Sequence, residues 1–293
     1  MDATGLIAQW TALGERRSLL GHRIFVADVP AERDGDVPPL LVVHGFPTSG
    51  IDFFAVLELL RARRRVVLLD LLGFGLSDKP DQPYSLFAQA DLVEAVVADC
   101  GIEQVDLLTH DMGDSVGGEL LARSVEGSLR FDVRRRVITN GSIYLDMAHL
   151  TDGQKFLLAL PDERMSGGEG FDPPTFAATL AALFGEASTA DPGHLLAAAQ
   201  LVGGDGFALL PRLIRYVEER RQHEGRWTVA IERHASPLTI VWGDRDPVAV
   251  WAMAERLRSA RADADLVRLD GIGHWPMIEA PERFAAAVDS ALS

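Results

Sequence analysis

Thr109-His110-Asp111-Met112-Gly113 is the stretch of sequence that decides the fold. A short apolar run rich in strand formers precedes it at 104–108, and a helical pattern that opens with small residues follows at 114–126. A strand that ends in a tight turn and enters a helix directly is typical of a nucleophile elbow, in which small residues flank a strained nucleophile. Asp111 stands at the nucleophile position. The alternative is that Asp111 is an ordinary aspartate N-cap of the helix.

Strands and helices alternate on both sides of this turn, which predicts an α/β fold with a mostly parallel eight-stranded sheet flanked by helices. The alternation stops near residue 142 and resumes near 238. We therefore expect a first core part over 1–142, a helical cap inserted after strand 6 over 143–229, and a second core part over 230–293. The predicted strands are 17–20, 22–27, 40–43, 65–69, 104–108, 136–139, 238–242 and 265–269, and the predicted helices are 51–63, 85–100, 114–126, 248–258 and 281–292.

The composition argues against several classes of partner. The 293 residues include 28 Lys and Arg against 43 Asp and Glu, a formal net charge of −15, which disfavours nucleic acid and anionic membrane surfaces. Cys100 is the single cysteine, so a disulfide within the chain is impossible. No apolar run reaches transmembrane length, and the first residues carry no basic segment. We expect a cytoplasmic monomer or homodimer.

Three further motifs follow predicted strands and supply the other groups that a nucleophile at the elbow requires. Gly271-Ile272-Gly273-His274 supplies a histidine that can act as a base, and Gly243-Asp244-Arg245-Asp246-Pro247 supplies a carboxylate that can orient it. His44-Gly45-Phe46-Pro47 offers backbone N–H groups for an oxyanion hole. Taken singly, the first two have ordinary alternatives, a solvated loop histidine and a turn. The order nucleophile, acid, histidine is that of the α/β-hydrolase fold, which the four motifs together predict.

The chain resembles the α/β-hydrolase superfamily and, within it, the epoxide hydrolase and haloalkane dehalogenase branch, which uses an Asp nucleophile in a His-Asp-x-Gly motif. The motif stands here at 110–113. The stretches 44–49, 69–80, 84–87 and 111–114 are similar to the mesoderm-specific-transcript group, an epoxide-hydrolase-like subfamily. The similarity is strong over 38–143, good over 237–290, and weak in the predicted cap.

The resemblance implies a covalent mechanism. Asp111 attacks an electrophilic carbon and forms an alkyl-enzyme ester, and His274, held by Asp246, activates the water that hydrolyses the ester. The backbone N–H groups of Phe46 and Met112 form the oxyanion hole. Alternatives to Asp246 as the orienting acid are Asp244 and Asp146, the latter because some dehalogenases place the acid after the preceding strand. The residues expected to line the substrate pocket are His44, His110 and Trp275.

The leaving group separates the two main reactions of this branch. An epoxide oxygen needs a proton donor, which the family takes from cap tyrosines. Tyr216 and Tyr144 are the candidates here, with Trp227 or His149 as alternatives for the second donor. A halide needs side-chain N–H donors next to the nucleophile and after His-Gly, where this chain has a methionine and a phenylalanine, neither of which can donate from its side chain.

Three functions therefore remain open. The preferred one is a hydrolase that converts an epoxide to a vicinal diol through an Asp111 ester. The alternatives are a haloalkane dehalogenase-like enzyme with an unusual halide site, and a non-catalytic binding protein of the same fold. The expected partners are a small hydrophobic electrophilic substrate and water, with no cofactor, no metal ion, no nucleic acid and no membrane.

Overall fold

A computed structural model describes residues 2–33, 37–166, 172–203 and 205–293. Its eight strands form one sheet, and the predicted mostly parallel eight-stranded sheet is confirmed. The strands are β1 (Glu15–Leu19), β2 (His22–Val29), β3 (Leu40–Val43), β4 (Val66–Leu69), β5 (Gln104–His110), β6 (Asp132–Thr139), β7 (Leu238–Gly243) and β8 (Asp265–Leu269). Their order in the sheet is β1-β2-β4-β3-β5-β6-β7-β8. Strand β2 runs antiparallel to both of its neighbours, and all other neighbouring pairs are parallel.

Helices cover both faces of the sheet because its strands are apolar on both faces. Leu40 and Val42 of β3 join the hydrophobic core on one side, whereas Leu41 and Val43 join the core on the other. The helices are α1 (Ala3–Ala12), α2 (Phe54–Leu60), α3 (Leu86–Asp99), α4 (Met112–Val125), α5 (Asp152–Ala159), α6 (Pro173–Ala181), α7 (Pro192–Val202), α8 (Asp205–Leu213), α9 (Tyr216–Arg233), α10 (Trp251–Ala260), α11 (Pro276–Glu279) and α12 (Pro281–Leu292). Helices α1, α2 and α12 pack on the first side, and α3, α4 and α10 pack on the second.

The helix boundaries differ from the sequence-based ones at three places. Helix α1 was not predicted. The predicted helix 51–63 is a 3-10 turn at Gly50–Phe53 followed by α2, which ends at Leu60. Helix α10 begins at Trp251 rather than at Val248, because the backbone N–H groups of Val248 and Ala249 donate to the Asp246 carboxylate, at 2.7 and 3.0 Å, instead of starting the helix.

Five helices, α5 to α9, lie between β6 and β7, and the described part of this segment contains no strand. Residues 167–171 and 204 of the predicted cap fall outside the described residues. Helix α9 packs along α4, and its Glu219 accepts hydrogen bonds from the Ser85 hydroxyl and the Leu86 N–H at the start of α3. Since α9 continues to Arg233, the expected boundary at 229 falls inside a helix.

The middle of this inserted segment is joined to the loop after β8 and to α11 by hydrogen bonds, four of which are donated by backbone N–H groups. The N–H of His274 donates to the carbonyl of Leu183, at 3.1 Å, and the N–H of Ala187 donates to the carbonyl of Gly271, at 2.9 Å. The carboxylate and the carbonyl of Glu279 accept from the N–H groups of Gly185 and Thr189, at 2.8 and 2.7 Å. The loop that carries His274 is therefore built partly from the inserted segment.

None of the helices in the described ranges combines the length and the apolar character that crossing a membrane requires.

Candidate active site

Asp111 occupies a strained turn between β5 and α4. Its φ of +50° and ψ of −118° lie in a region that non-glycine residues rarely adopt, and its side chain makes no capping hydrogen bond to α4. The turn is possible because its neighbours are glycines. A Cβ at Gly113 would lie 2.3 Å from the carbonyl oxygen of Val43, and a Cβ at Gly45 would lie 2.5 Å from the Cβ of Asp111. The alternative that Asp111 is an ordinary N-cap is wrong, because an N-cap has extended backbone angles and bonds the helix it precedes.

The Asp111 carboxylate is buried and meets a backbone donor. The N–H of Phe46 donates to its Oδ2 at 2.8 Å. The N–H of Met112 is the first of α4, where backbone N–H groups have no acceptor within the helix. The two N–H groups predicted to form an oxyanion hole thus belong to residues on either side of Asp111.

His274 and Asp246 lie beside Asp111. His274 Nδ1 is 2.7 Å from Asp246 Oδ2, and its Nε2 is 4.0 Å from Asp111 Oδ1. Since Nδ1 donates a hydrogen bond to Asp246, Nε2 is the ring nitrogen that faces Asp111. The two alternative acids lie elsewhere. Asp146 is exposed and bonds Arg256, at 2.8 and 2.9 Å, and Asp244 accepts from the N–H of Gly271 at 2.7 Å.

Asn140 also contacts Asp246, although it was not predicted from the sequence to be a site residue. It directly follows β6 with a φ of +45°, and its amide donates to Asp246 Oδ2 at 2.8 Å. Its side-chain oxygen accepts from the N–H of Gly243 at 2.9 Å. Together with the N–H groups of Val248 and Ala249, it fixes both oxygens of the Asp246 carboxylate. An asparagine immediately after a predicted strand was the only available signal.

Sequence and structure comparisons agree with this geometry. A family model described as Alpha/beta hydrolase family matches residues 40–287. The chain belongs to this family. It is 39% identical over 297 residues, 98% of each chain, to the putative hydrolase LipZ of Mycobacterium tuberculosis. It is 30% identical to the human mesoderm-specific transcript homolog protein, over 95% of this chain and 85% of the other.

A structure of a haloalkane dehalogenase loop variant from Bradyrhizobium elkanii superposes with a TM-score of 0.72 at 19% identity, over 94% of this chain and 95% of the other, which shows the shared fold. The predicted α/β-hydrolase fold and the predicted resemblance to the mesoderm-specific-transcript group are both confirmed. The protein is thus a hydrolase of the α/β-hydrolase family.

In this α/β-hydrolase a cavity of about 440 Å³ lies between the core and the inserted segment. Phe46, His274 and Trp275 form part of its wall on the core side. Phe46 and His274 are also the residues next to the Asp111 carboxylate, since the Phe46 N–H bonds it and His274 Nε2 lies 4.0 Å from it. The inserted segment contributes the rest of a mainly apolar wall, including Gln154, Phe156, Leu157, Phe176, Leu180, Leu183 and Leu210.

Two of the three residues predicted to line the pocket do not line it. His44 is buried, its Nδ1 donates to the Gly45 carbonyl at 2.8 Å, and its Nε2 accepts from the N–H of Leu71 at 3.0 Å. His110 is also buried, and its Nε2 donates to the His274 carbonyl at 2.8 Å. Burial lowers the pKa of both histidines to about 4, so they are neutral supports of the loops around the site. Trp275 does line the cavity.

The two candidate tyrosines have different surroundings. The Tyr216 ring packs against Phe46, with centroids 5.5 Å apart, and the Gln154 side chain, which lines the cavity, interacts with its hydroxyl. Burial, reinforced by the nearby negative charge of Asp111, raises the pKa of Tyr216 above its usual value. Tyr144 lies apart from the cavity wall, and its hydroxyl donates to Glu232 at 2.8 Å. The Tyr144 hydroxyl, predicted as a second donor, thus donates its hydrogen bond to Glu232 and not toward the cavity.

Neither alternative for the second proton donor, Trp227 or His149, lies in the cavity wall. The indole N–H of Trp227 donates to Glu119 at 2.9 Å, and His149 is exposed and outside the cavity wall. Among the described residues, no group of three histidine, cysteine, aspartate or glutamate side chains could hold a metal ion.

Burial alone would lower the pKa of His274, but neighbouring negative charge reverses the effect. The charge and hydrogen bond of Asp246, with the charge of Asp111, raise its pKa to about 9. His274 is therefore protonated at neutral pH.

Proposed function

We propose that the protein hydrolyses an epoxide to a vicinal diol through an alkyl ester on Asp111, with His274 as base and Asp246 as the acid that orients it. The observation that carries the proposal is the setting of Asp111. Held at positive φ, it does not cap α4, and it presents one oxygen to the Phe46 N–H and the other to His274. A buried carboxylate next to two residues of an apolar cavity wall is well suited to attack an electrophilic carbon.

The first half-reaction forms the ester. Oδ1 of Asp111 attacks an epoxide carbon while Oδ2 remains bonded to the Phe46 N–H. As the ring C–O bond breaks, the oxygen takes a proton from Tyr216, which later regains one from water. The raised pKa of Tyr216 keeps its hydroxyl protonated at neutral pH, and its contact with Phe46 places it near the nucleophile. A positioned proton donor of this kind typically contributes ~10²–10⁴-fold in rate.

The second half-reaction releases the diol. Ester formation removes the negative charge of Asp111, one of the causes of the raised pKa of His274, so that the imidazole can lose its proton and act as a base. His274 then deprotonates a water that attacks the ester carbonyl. The oxyanion forms on Oδ2, where the N–H groups of Phe46 and Met112 stabilise it. Its collapse breaks the bond between the carbonyl carbon and Oδ1, which leaves with the product and takes up the remaining proton of the attacking water to give the second hydroxyl of the diol.

Two observations favour an epoxide over a halide as the leaving group. Neither Phe46 nor Met112 can donate from its side chain. The remaining indole N–H near the nucleophile, that of Trp275, is buried away from the cavity surface, on the side of Asp52. In this proposal residues 143–229 act as a cap, since they supply Tyr216 and the outer cavity wall.

The test uses styrene oxide and 1-bromobutane, with diol and bromide as the measured products. We expect diol from the wild type, none from freshly purified Asp111→Ala, and, from His274→Gln, a single addition of one substrate mass to the intact protein. Bromide without diol would favour the dehalogenase alternative. No product from either substrate, with no mass addition in His274→Gln, would refute the covalent mechanism for these substrate classes.

A further inference from the structure

A second, much smaller cavity lies between the elbow helix α4 and helix α9 of the inserted segment. Its wall includes Asp114 and Ser115 of α4 and Arg220 and Glu224 of α9. The centre of a water molecule can occupy about 10 Å³ of it, which is room for one water. A Cβ added at Gly141 would lie 1.8 Å from Asp114 Oδ2, so the chain just after β6 runs close to the Asp114 carboxyl group.

Buried polar atoms without hydrogen-bond partners face this cavity from both helices. Asp114 is 2% exposed, and neither of its carboxylate oxygens has a hydrogen-bond partner among the described residues. Arg220 is 4% exposed; its Nε donates to the Ser115 hydroxyl at 2.7 Å, but its Nη2 has no partner in the same ranges. Glu224 is already engaged by the N–H of Leu145, at 2.8 Å. Because buried polar atoms are almost always paired, one water that bridges Asp114 and Arg220 accounts for both.

Arg220 also reaches the candidate proton donor. Its guanidinium carbon lies 5.1 Å from the centroid of the Tyr216 ring, within the range of a cation–π contact. One guanidinium therefore links the helix that begins at the nucleophile to the ring that carries the donor hydroxyl. A positive charge beside this ring favours the partial negative charge that its oxygen gains when it gives up a proton.

We propose that Arg220, held by Ser115 and through one water by Asp114, is a positioning residue that fixes Tyr216 and stabilises its oxygen as it donates to the opening epoxide. This inference rests on the proposed function. It concerns ester formation on epoxides alone, because a bromide leaving group needs no proton. Arg220 contacts the ring rather than the substrate, and its effect should therefore disappear when Tyr216 has no hydroxyl.

The test is a double-mutant cycle on the single-turnover rate of ester formation, with wild type, Arg220→Met, Tyr216→Phe and the double variant. With styrene oxide we expect Arg220→Met to be roughly tenfold slower than wild type, the size expected of a partly desolvated cation–π contact. In the Tyr216→Phe background the same change should alter the rate by less than about twofold. With 1-bromobutane, Arg220→Met should match the wild type, and Arg220→Lys should recover most of the lost epoxide rate because it retains the charge.

Arg226→Met is the matched control. Arg226 lies on the same helix and also bonds α4, through Glu119 at 2.7 Å, but it does not contact the Tyr216 ring. The Arg226→Met variant should have a lower melting temperature than the wild type, but the same ratio of the epoxide rate to the bromide rate. An equal loss of that ratio in Arg226→Met would mean that helix docking alone matters, and it would overturn the proposal.

Two other results would overturn the proposal while leaving the proposed function intact: a tenfold effect that persists in the Tyr216→Phe background, or an Arg220→Lys variant as slow as Arg220→Met. If the wild type opens no epoxide, or Tyr216→Phe forms the ester at the wild-type rate, the assignment of Tyr216 fails and this inference fails with it. Should Arg220→Met not fold, Ser115→Ala provides the same cycle. It removes the hydroxyl that accepts from Arg220 Nε at 2.7 Å, and it should slow epoxide opening only when Tyr216 is intact.

Discussion

Replacing Asp111 by asparagine should lower the pKa of His274, by up to about three units. The carboxylate oxygen lies 4.0 Å from His274 Nε2, and two unit charges at that separation interact by about 4 kcal/mol at an effective dielectric constant of about 20. One pKa unit corresponds to about 1.4 kcal/mol. The imidazole, whose pKa is about 9 in the wild type, should therefore titrate near neutral pH or below in Asp111→Asn.

The assay is a pH titration of the imidazole nitrogens by NMR, on protein labelled with ¹⁵N-histidine. The His274 signal is identified by its loss in His274→Gln, and mass spectrometry confirms that the asparagine has not reverted to aspartate. Asn140→Ala is the control, because it removes a contact to Asp246 but leaves the charge of Asp111 in place. A His274 pKa that moves by less than about half a unit in Asp111→Asn would refute the charge-coupled mechanism.

Two further predictions concern stability. The folded-state pKa of His274 lies above its unfolded value of 6.5, so this residue stabilises the fold fully below pH 6.5. Its contribution, up to about 3 kcal/mol, is lost as the pH rises through 9. Urea unfolding at pH 6 and pH 9.5 should show this loss of stability in the wild type and a much smaller loss in Asp111→Asn. Gly113→Ala should lower the melting temperature by several degrees, since its Cβ would lie 2.3 Å from a backbone oxygen. Gly225 is exposed in α9 with open space around it, so Gly225→Ala should raise the melting temperature slightly. Equal shifts of the melting temperature in the two variants would contradict this steric account.

The parts of the fold that could be predicted from sequence are those whose cause is local. Strands β3 and β8 begin and end at the predicted residues because each is a short run of strand formers bounded by turn residues. The elbow could be recognised because a strained turn needs glycines within a few positions of Asp111. Helix α1 was missed because its pattern of buried residues, Ala3, Leu6 and Trp10, is sparse.

What could not be predicted depends on partners far along the chain. Asn140 acts on a carboxylate 106 residues away, and the Tyr144 hydroxyl bonds a glutamate 88 residues away. Both were ambiguous in sequence because an asparagine after a strand and a tyrosine before a helix are common. Asp114 and Arg220 face each other only because α9 folds back along α4, which no local pattern specifies.

The hydrogen bonds between 183–189 and the loop after β8 have a consequence for protein engineering. A chimaera that takes residues 143–229 from a relative, in order to acquire its substrate range, would place a foreign strand of backbone against Gly271, His274 and Glu279. The backbone hydrogen bonds between the transplanted segment and the loop that carries His274 would then no longer match. The smallest exchangeable unit is therefore discontinuous: the segment between β6 and β7 together with residues 271–279, transferred as one block.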